Sequence, residues 1–310
     1  MEPPPANPGW PATPPSAAEL WPWPAPKLSA PWLGGTAVLS AWEQLLPING
    51  VGLPREFSAR GQPLLAAPAR LLLTVAGETQ AAGAESRPKA GEHDAYRLQF
   101  SGLDKGPGWQ LASWGEFSAD GQLTLDWTLS PSDASKPPAV SEVRVEWPLV
   151  AGSDWSWLVP GVGGAEAPLL AGPLPAQQGL LLDSRRDLGP LASGLRQGSW
   201  LPLLWLGNER AGLLWSGDSD AGWQVADPLP AVTVARQGDQ IVVRQYLLRQ
   251  LPGDKPVLLD QPRHWRLQVQ ATPFRAPPAG WRSLGVPAWP PTTREPIDLA
   301  LAFDPMQDLG

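Results

Sequence analysis

Residues 200–223 read W-L-P-L-L-W-L-G-N-E-R-A-G-L-L-W-S-G-D-S-D-A-G-W. Two apolar runs, 201–206 and 211–215, flank the four residues 207–210, which read G-N-E-R. A short polar segment containing glycine between two apolar runs is typical of a turn that joins antiparallel strands. The pattern therefore predicts a β-hairpin, with an exit that is acidic and rich in tryptophan.

Alternating apolar and polar positions, which are typical of strands, recur along the chain. In residues 140–147, Val143, Val145 and Trp147 would share one face of a half-buried strand, and the charged residues between them would share the other. About a dozen such segments, without βαβ alternation, predict an all-β fold: a large antiparallel β-sandwich or two apposed sandwiches. The predicted strands are 69–76, 95–100, 110–117, 121–130, 141–148, 180–183, 201–207, 211–216, 231–237, 240–249 and 265–271.

Composition agrees with strands and limits helices. The chain of 310 residues has Pro 40 and Gly 32, and each proline removes a backbone donor and obstructs the preceding helical turn. One short helix is predicted at 36–46, where Leu39, Trp42, Leu45 and Leu46 recur at helical spacing. Residues 77–94, 131–139 and 150–174 are predicted as loops. The predicted organisation is a Pro/Trp-rich extended arm at 1–35, a sandwich region at 36–282 and an extension at 283–310.

Charge and cysteine content exclude several functions. A net charge of -7, with no basic run, argues against nucleic-acid binding. With Cys 0, the chain has no disulfide, thiolate nucleophile or cysteine-bound metal. No apolar run reaches the ~20 residues of a membrane-spanning helix. The first residues lack the features of a signal peptide, so a cytoplasmic location stays open beside an extracellular or periplasmic one.

Several segments resemble one known family. The pattern of 205–223, together with 53–71, 121–129 and 267–281, is similar to the non-catalytic N-terminal β-sandwich region of proteins in glycoside hydrolase family 123. The resemblance implies an exported, carbohydrate-associated protein. It also implies β-N-acetylgalactosaminidase chemistry by an adjacent Asp-Glu pair on a following (β/α)-barrel. This chain contains no Asp-Glu dipeptide, and too few residues follow the sandwich region for a barrel.

That departure predicts an accessory sandwich that is non-catalytic by itself and associates with a glycan or with a barrel domain on another chain. A second hypothesis is a structural module that packs against a partner domain or subunit. A third is a β-N-acetylhexosaminidase-type hydrolase that uses Asp218 and Asp220. The sequence does not specify an oligomeric state.

Tryptophan supplies the candidates for glycan binding, because an indole beside polar groups suits the flat, weakly polar face of a sugar ring. By contrast, Trp127, Trp147, Trp205 and Trp265 are predicted to be core residues, since a sandwich needs large side chains between its sheets. The predicted glycan-contacting residues are Trp155, Trp157, Trp215, Trp223, Asn208, Glu209 and Arg210.

Asp218 and Asp220 are the candidates for a metal site. Two carboxylates spaced two residues apart could bind a hard cation such as calcium, and Asn208 and Glu209 could add oxygens if the hairpin folds back. The competing interpretation is that these residues only cap a turn. Neither His93 nor His264 lies in a catalytic or metal-binding motif. No cofactor other than calcium is expected.

Overall fold

A computed structural model describes residues 25–29, 36–41, 44–83, 86–150, 152, 154–160, 169–185 and 200–273. These residues form strands, turns and bends, and none of them is helical. The strands are β1 Lys27–Ser29, β2 Ala37–Ala41, β3 Gln44–Ile48, β4 Ser58–Ala59, β5 Gln62–Pro63, β6 Arg70–Val75, β7 Glu78–Ala82, β8 Lys89–His93, β9 Arg97–Gly106, β10 Trp109–Ser118, β11 Gln122–Pro131, β12 Ala139–Val150, β13 Ser156–Pro160, β14 Leu169–Pro173, β15 Gly179–Asp183, β16 Leu203–Gly207, β17 Gly212–Ser216, β18 Gln224–Val225, β19 Val232–Gln237, β20 Gln240–Arg249, β21 Val257–Leu258 and β22 Arg263–Thr272.

Two large sheets dominate the described chain. The nine-stranded sheet has the order β14-β13-β16-β17-β22-β11-β10-β9-β8. The eight-stranded sheet has the order β15-β19-β20-β12-β6-β7, with β18 beside β20 and β21 beside β12. Within both sheets the pairing is antiparallel, apart from the short parallel pair β18–β20. The prediction of an all-β antiparallel sandwich is therefore confirmed.

The core lies between the inner faces of these two sheets. Trp147 of the eight-stranded sheet meets Trp215 of the nine-stranded sheet edge to face, with ring centroids 5.8 Å apart. On β12 the predicted alternation is confirmed, because Val143, Val145 and Trp147 are fully buried in the core. The sheets thus join through large apolar side chains contributed by alternate positions of each strand.

A segment near the N-terminus also enters this core. Val51, Leu53 and Phe57 are buried, and the Trp127 indole donates a hydrogen bond to the Val51 carbonyl at 2.9 Å. The backbone at Gly52 has φ 87°, and a Cβ there would lie 2.6 Å from the Leu125 side chain. Glycine is required at this position by both the left-handed backbone and the close approach.

The helix predicted at 36–46 is wrong. The segment contains β2 and the start of β3, which pair as a hairpin with Ala37 opposite Ile48 and Leu39 opposite Leu46. Leu45 is 63% exposed, whereas Leu46 is fully buried. The apolar residues fit a period of two as well as a helical period. Pairing with β1, which lies inside the predicted arm, favours the strand.

Two predicted loops also contain strands. Residues 77–94 include β7 and β8, which form outer strands of the two large sheets. Residues 150–174 include β13 and β14, which extend the nine-stranded sheet beyond β16. The edge strands β7, β8 and β14 have mostly exposed or half-buried side chains, so their sequences show little apolar alternation. The internal strand β13 buries Trp157 and Val159 but is flanked by glycine-rich sequence. All eleven predicted strands are present, most of them with shifted ends. In the described part of the chain, no helix is long and apolar enough to span a membrane.

Candidate functional site

Trp205 occupies an unexpected position on the hairpin β16–β17. Directly paired residues share a face, and Trp205 pairs with Leu158 on one side and Leu214 on the other. Their neighbours Leu206 and Leu213 belong to the inter-sheet core, so Trp205 points to the outer face. The prediction that Trp205 lies in the core between the sheets is therefore wrong. Trp127, Trp147 and Trp265 do lie there.

The Trp205 side chain is only 7% exposed although it lies on the outer face. Its ring covers Gly207 and Gly212, where an added Cβ would come within 2.9 and 2.7 Å of ring atoms. The indole Nε1 donates a hydrogen bond to Oγ1 of Thr272 at 2.8 Å. Two glycines and one hydroxyl thus seat the indole flat against the sheet.

Asn208 shapes the turn beside this indole. Its Oδ1 accepts hydrogen bonds from the backbone N–H groups of Arg210 and Ala211, both at 2.9 Å. The Asn208 backbone N–H also donates to the Ala211 carbonyl at 2.9 Å. Asparagine is favoured in turns because its short side chain can bond the backbone two residues ahead. The hairpin predicted from 200–223 is confirmed, with Gly207 paired to Gly212.

A second contact of Asn208 connects the turn to the preceding strand. Its Nδ2 donates to Asp154 Oδ2 at 2.9 Å, immediately before β13. Glu209 and Arg210 are exposed at the tip of the turn. The contact therefore holds a polar rim close to the start of β13.

These elements line an open cavity of about 540 Å³, called the Trp205 cavity below. Such a volume lies within the range of about 300–1,000 Å³ seen for small-molecule sites. Its floor comes from outward side chains of β13, β14 and β16, and its rim from the turn. The lining residues are Asp154, Ser156, Trp157, Leu158, Ala171, Trp205, Asn208, Glu209 and Arg210.

The lining suits a ligand that is polar at its edges and weakly polar on one face. Leu158, Ala171 and the indole of Trp205 supply apolar surface. Carboxylates, a guanidinium, an amide and a hydroxyl supply acceptors and donors around it. Four of the predicted glycan-contacting residues, Trp157, Asn208, Glu209 and Arg210, are brought together here.

The other predicted tryptophans lie elsewhere. Trp155 and Trp215 belong to the inter-sheet core, where they are 6% and 2% exposed. Trp157 also packs in that core, although it contributes to the cavity wall. Trp223 is half-buried and packs against the core beyond the opposite end of β17. The structure therefore does not gather the four tryptophans into one site.

Asp218 and Asp220 are exposed in the turn that follows β17. The Asn208 turn precedes β17, so the two turns lie at opposite ends of this strand. The strand has five residues, which separates its ends by roughly 14 Å. Asn208 and Glu209 thus do not join the two aspartates. Among the residues that the structure describes, no group of three His, Asp or Glu side chains is placed to hold a metal ion. Calcium binding at Asp218 and Asp220 stays a prediction.

The histidines lie outside the cavity. His93 is exposed on β8, and His264 is exposed on β22, where its Nδ1 lies 2.8 Å from Thr128 Oγ1.

Sequence reasoning missed Asp154, Ser156, Leu158 and Ala171 as lining residues. Period-two alternation marks Leu158 as facing away from Trp157, but only the pairing of β13 with β16 places it beside Trp205.

Comparisons with known proteins give no family. No family model matches the chain, and no curated protein matches it. Among solved structures, a putative aldose 1-epimerase from Escherichia coli K12 matches with TM-score 0.42 and 10% identity over 79% of this chain and 99% of that one. A galactose mutarotase related enzyme from Lactobacillus acidophilus has TM-score 0.40 and 7% identity, over 79% and 97%. A TPR-domain containing protein from Parabacteroides distasonis has TM-score 0.49 and 9% identity, over 85% and 50%.

These findings overturn the resemblance to glycoside hydrolase family 123. The matching solved structures include aldose epimerase homologues, and no family model supports the glycoside hydrolase assignment. Alternating strands joined by short turns are shared by many sandwiches, because the same packing needs recur. Likenesses at these TM-scores say nothing about what this chain binds.

Proposed function

We propose that this chain binds carbohydrate in the Trp205 cavity. The observation that carries the proposal is one open cavity with an indole in its wall and a mixed polar rim. Sugar rings have C–H faces of low polarity and edges of hydroxyl groups, and therefore match such a lining. The rim contains two carboxylates, Asp154 and Glu209, and one guanidinium, Arg210, so both hydroxyl donors and acceptors find partners.

The strands would supply the floor of the binding site and the turn would supply its rim, and both are held in place before a ligand binds. Trp205 is fixed by its hydrogen bond to Thr272, so its surface is already positioned before a ligand arrives. Asn208 is fixed by the Asp154 contact and by the turn. Preorganised groups lose little conformational freedom on binding, which favours affinity.

Calorimetric titration with a panel of neutral monosaccharides and disaccharides tests the proposal. Trp205→Phe keeps an aromatic ring but removes the indole N–H and part of the wall. We expect it to weaken binding of the recognised sugar by about tenfold, as removal of a buried aromatic contact commonly does. Asn208→Ala should weaken binding as well, because the rim loses its connection to Asp154.

Trp109→Phe is the matched control, since Trp109 is a buried tryptophan in the core of β10, outside the cavity lining. It should leave sugar affinity unchanged. If the wild-type chain binds no sugar of the panel, the proposal is refuted. Equal losses of sugar affinity in Trp205→Phe and Trp109→Phe would mean that lower stability of the fold, and not a change in the cavity, causes the loss.

The outer strands favour a second candidate, an assembly module. Leu169 on β14 and Leu180 on β15 are 48% and 50% exposed, and each strand ends the strand order of its sheet. Apolar outer strands can pair with another chain. Sedimentation over a range of concentrations tests this role: Leu169→Lys should reduce self-association, and a concentration-independent monomer would contradict it.

A further inference from the structure

The outer face of the nine-stranded sheet carries a second aromatic side chain, Trp114 on β10. Cross-strand pairing places Ser101, Trp114, Asp126 and Arg266 in one row across β9, β10, β11 and β22. Paired residues share a face, and on β11 and β22 the flanking residues Leu125, Trp127, Trp265 and Leu267 are core residues, so the row points outward. Trp114 is half-buried, and the small, exposed Ala112 lies two residues before it on the same face.

The charged members of the row neutralise each other. Arg266 donates from Nε and Nη2 to the two Asp126 oxygens, at 2.9 and 3.1 Å. This contact is the main reason that the pKa of Arg266 lies above its usual value, so the guanidinium stays charged. The two side chains remain 54% and 30% exposed. The pair thus presents donors and acceptors to a ligand beside the indole without a net charge.

Mostly polar side chains lie between this row and the Trp205 cavity. The next row contains Glu116, Thr124, Gln268 and Ser216, which are paired in this order. The row after it contains Gln270, which is only 8% exposed, and Leu214, which pairs with both Gln270 and Trp205. Four strand spacings, about 19 Å, separate β10 from β16. Aromatic side chains therefore stand at both ends of a face on which Thr124, Gln268 and Ser216 supply hydroxyl and amide groups.

We infer that the ligand of the Trp205 cavity is a chain of neutral sugars that crosses this outer face and reaches Trp114. The inference rests on the proposed function and specifies its substrate class as an oligosaccharide or polysaccharide. A nucleic acid would need a basic surface, whereas the row is neutral. An added peptide strand would need a sheet edge, whereas β10, β11 and β22 are paired on both sides.

Titration with neutral oligosaccharides of increasing length, from the monosaccharide to the hexasaccharide, tests the inference. For the wild-type chain, affinity should rise with length until the ligand spans both tryptophans. Trp114→Ala should lower the affinity for the hexasaccharide by about tenfold and leave that for the monosaccharide unchanged. Leu45→Ala is the control, because it also removes an exposed apolar side chain, on a strand outside this sheet.

Ala112→Glu provides a second variant that leaves Trp114 in place. The position is exposed, so the fold should accommodate the larger side chain, which would cover part of the indole and obstruct ligand contact by its size. If both variants bind the hexasaccharide as the wild type does, while Asn208→Ala weakens monosaccharide binding, the extended face is refuted and the cavity stands. If the monosaccharide and the hexasaccharide both fail to bind the wild type, the proposed function itself is refuted.

Discussion

Gly212 is the residue on which the position of Trp205 depends. A Cβ at this position would lie 2.7 Å from the Trp205 Nε1 and 2.9 Å from the Leu206 carbonyl oxygen. The indole nitrogen is also the donor to Thr272, so a methyl group here would break that bond or move the ring. Because Gly212 has no side chain, there is room for the Trp205 indole beside it.

We therefore expect Gly212→Ala to destabilise the fold by about 1–3 kcal/mol through overpacking and to weaken sugar binding. Chemical unfolding and calorimetry measure the two effects. Gly217→Ala is a matched control on the same segment, because its Cβ would meet only the Trp200 ring, at 3.3 Å. Wild-type stability and affinity in Gly212→Ala would show that Trp205 is not held by this contact.

At the scale of the element, the hairpin β16–β17 owes its turn to Asn208. Asn208→Ala removes two hydrogen bonds to backbone N–H groups and the bond to Asp154. We expect a loss of about 1–2 kcal/mol of stability together with weaker sugar binding. Asn208→Asp retains the acceptor oxygen for the turn but removes the donor to Asp154. It should keep the turn while still reducing affinity, and unchanged affinity in Asn208→Asp would exclude the Asp154 contact from the site.

The strand pair β12–β20 carries an ion-pair cluster on the outer face of the eight-stranded sheet. The buried Glu146 carboxylate accepts hydrogen bonds from Arg70, Arg144 and Arg244, at 2.9, 3.0 and 2.9 Å. Burial by itself would raise the pKa of Glu146, but the arginine hydrogen bonds and charges outweigh it and hold the pKa below its usual value. A carboxylate with a depressed folded-state pKa stabilises the fold above its unfolded pKa, and this stabilisation is lost as pH falls through the folded pKa.

Glu146→Gln should therefore lower the free energy of unfolding at pH 7 by about 1–3 kcal/mol. The difference between variant and wild type should shrink as pH falls below the ordinary glutamate pKa of about 4.3 and on through the lower folded-state pKa of Glu146. Unfolding measured as a function of pH tests this, with Glu92→Gln as a control at an exposed position of β8. A difference that stayed constant down to pH 2 would contradict the ionic role of Glu146.

At the scale of the whole molecule, Trp147 and Trp215 join the two large sheets, but their indole nitrogens differ. Trp147 Nε1 donates to the buried Gln245 Oε1 at 2.8 Å. Trp215 Nε1 is buried and has no hydrogen-bond partner among the residues that the structure describes. We expect Trp147→Phe to cost more stability than Trp215→Phe, because it leaves a buried acceptor without its donor.

A double-mutant cycle by chemical unfolding measures the coupling of the pair. An edge-to-face aromatic contact contributes about 0.5–1.5 kcal/mol beyond its buried area. A coupling energy near zero would mean that the two rings stabilise the sheets independently. A larger loss in Trp215→Phe than in Trp147→Phe would show that the Gln245 bond is not the deciding difference.

The sequence by itself determined the fold class, the longer strands and the hairpin turn, because these depend on local alternation and on the preferences of proline, glycine and asparagine. Local patterns gave the wrong structure for 36–46, where the apolar residues fit two periods, and for the edge strands β7, β8 and β14, where little apolar surface is buried. They also gave a loop at the internal strand β13, which lies between glycine-rich segments. Only the tertiary structure determined which residues line the Trp205 cavity. Whether Trp205 faces the core or the outer surface depends on the register of β16 against β13 and β17. A shift of one residue reverses every side chain, and no local pattern sets that register because both faces of this hairpin are apolar.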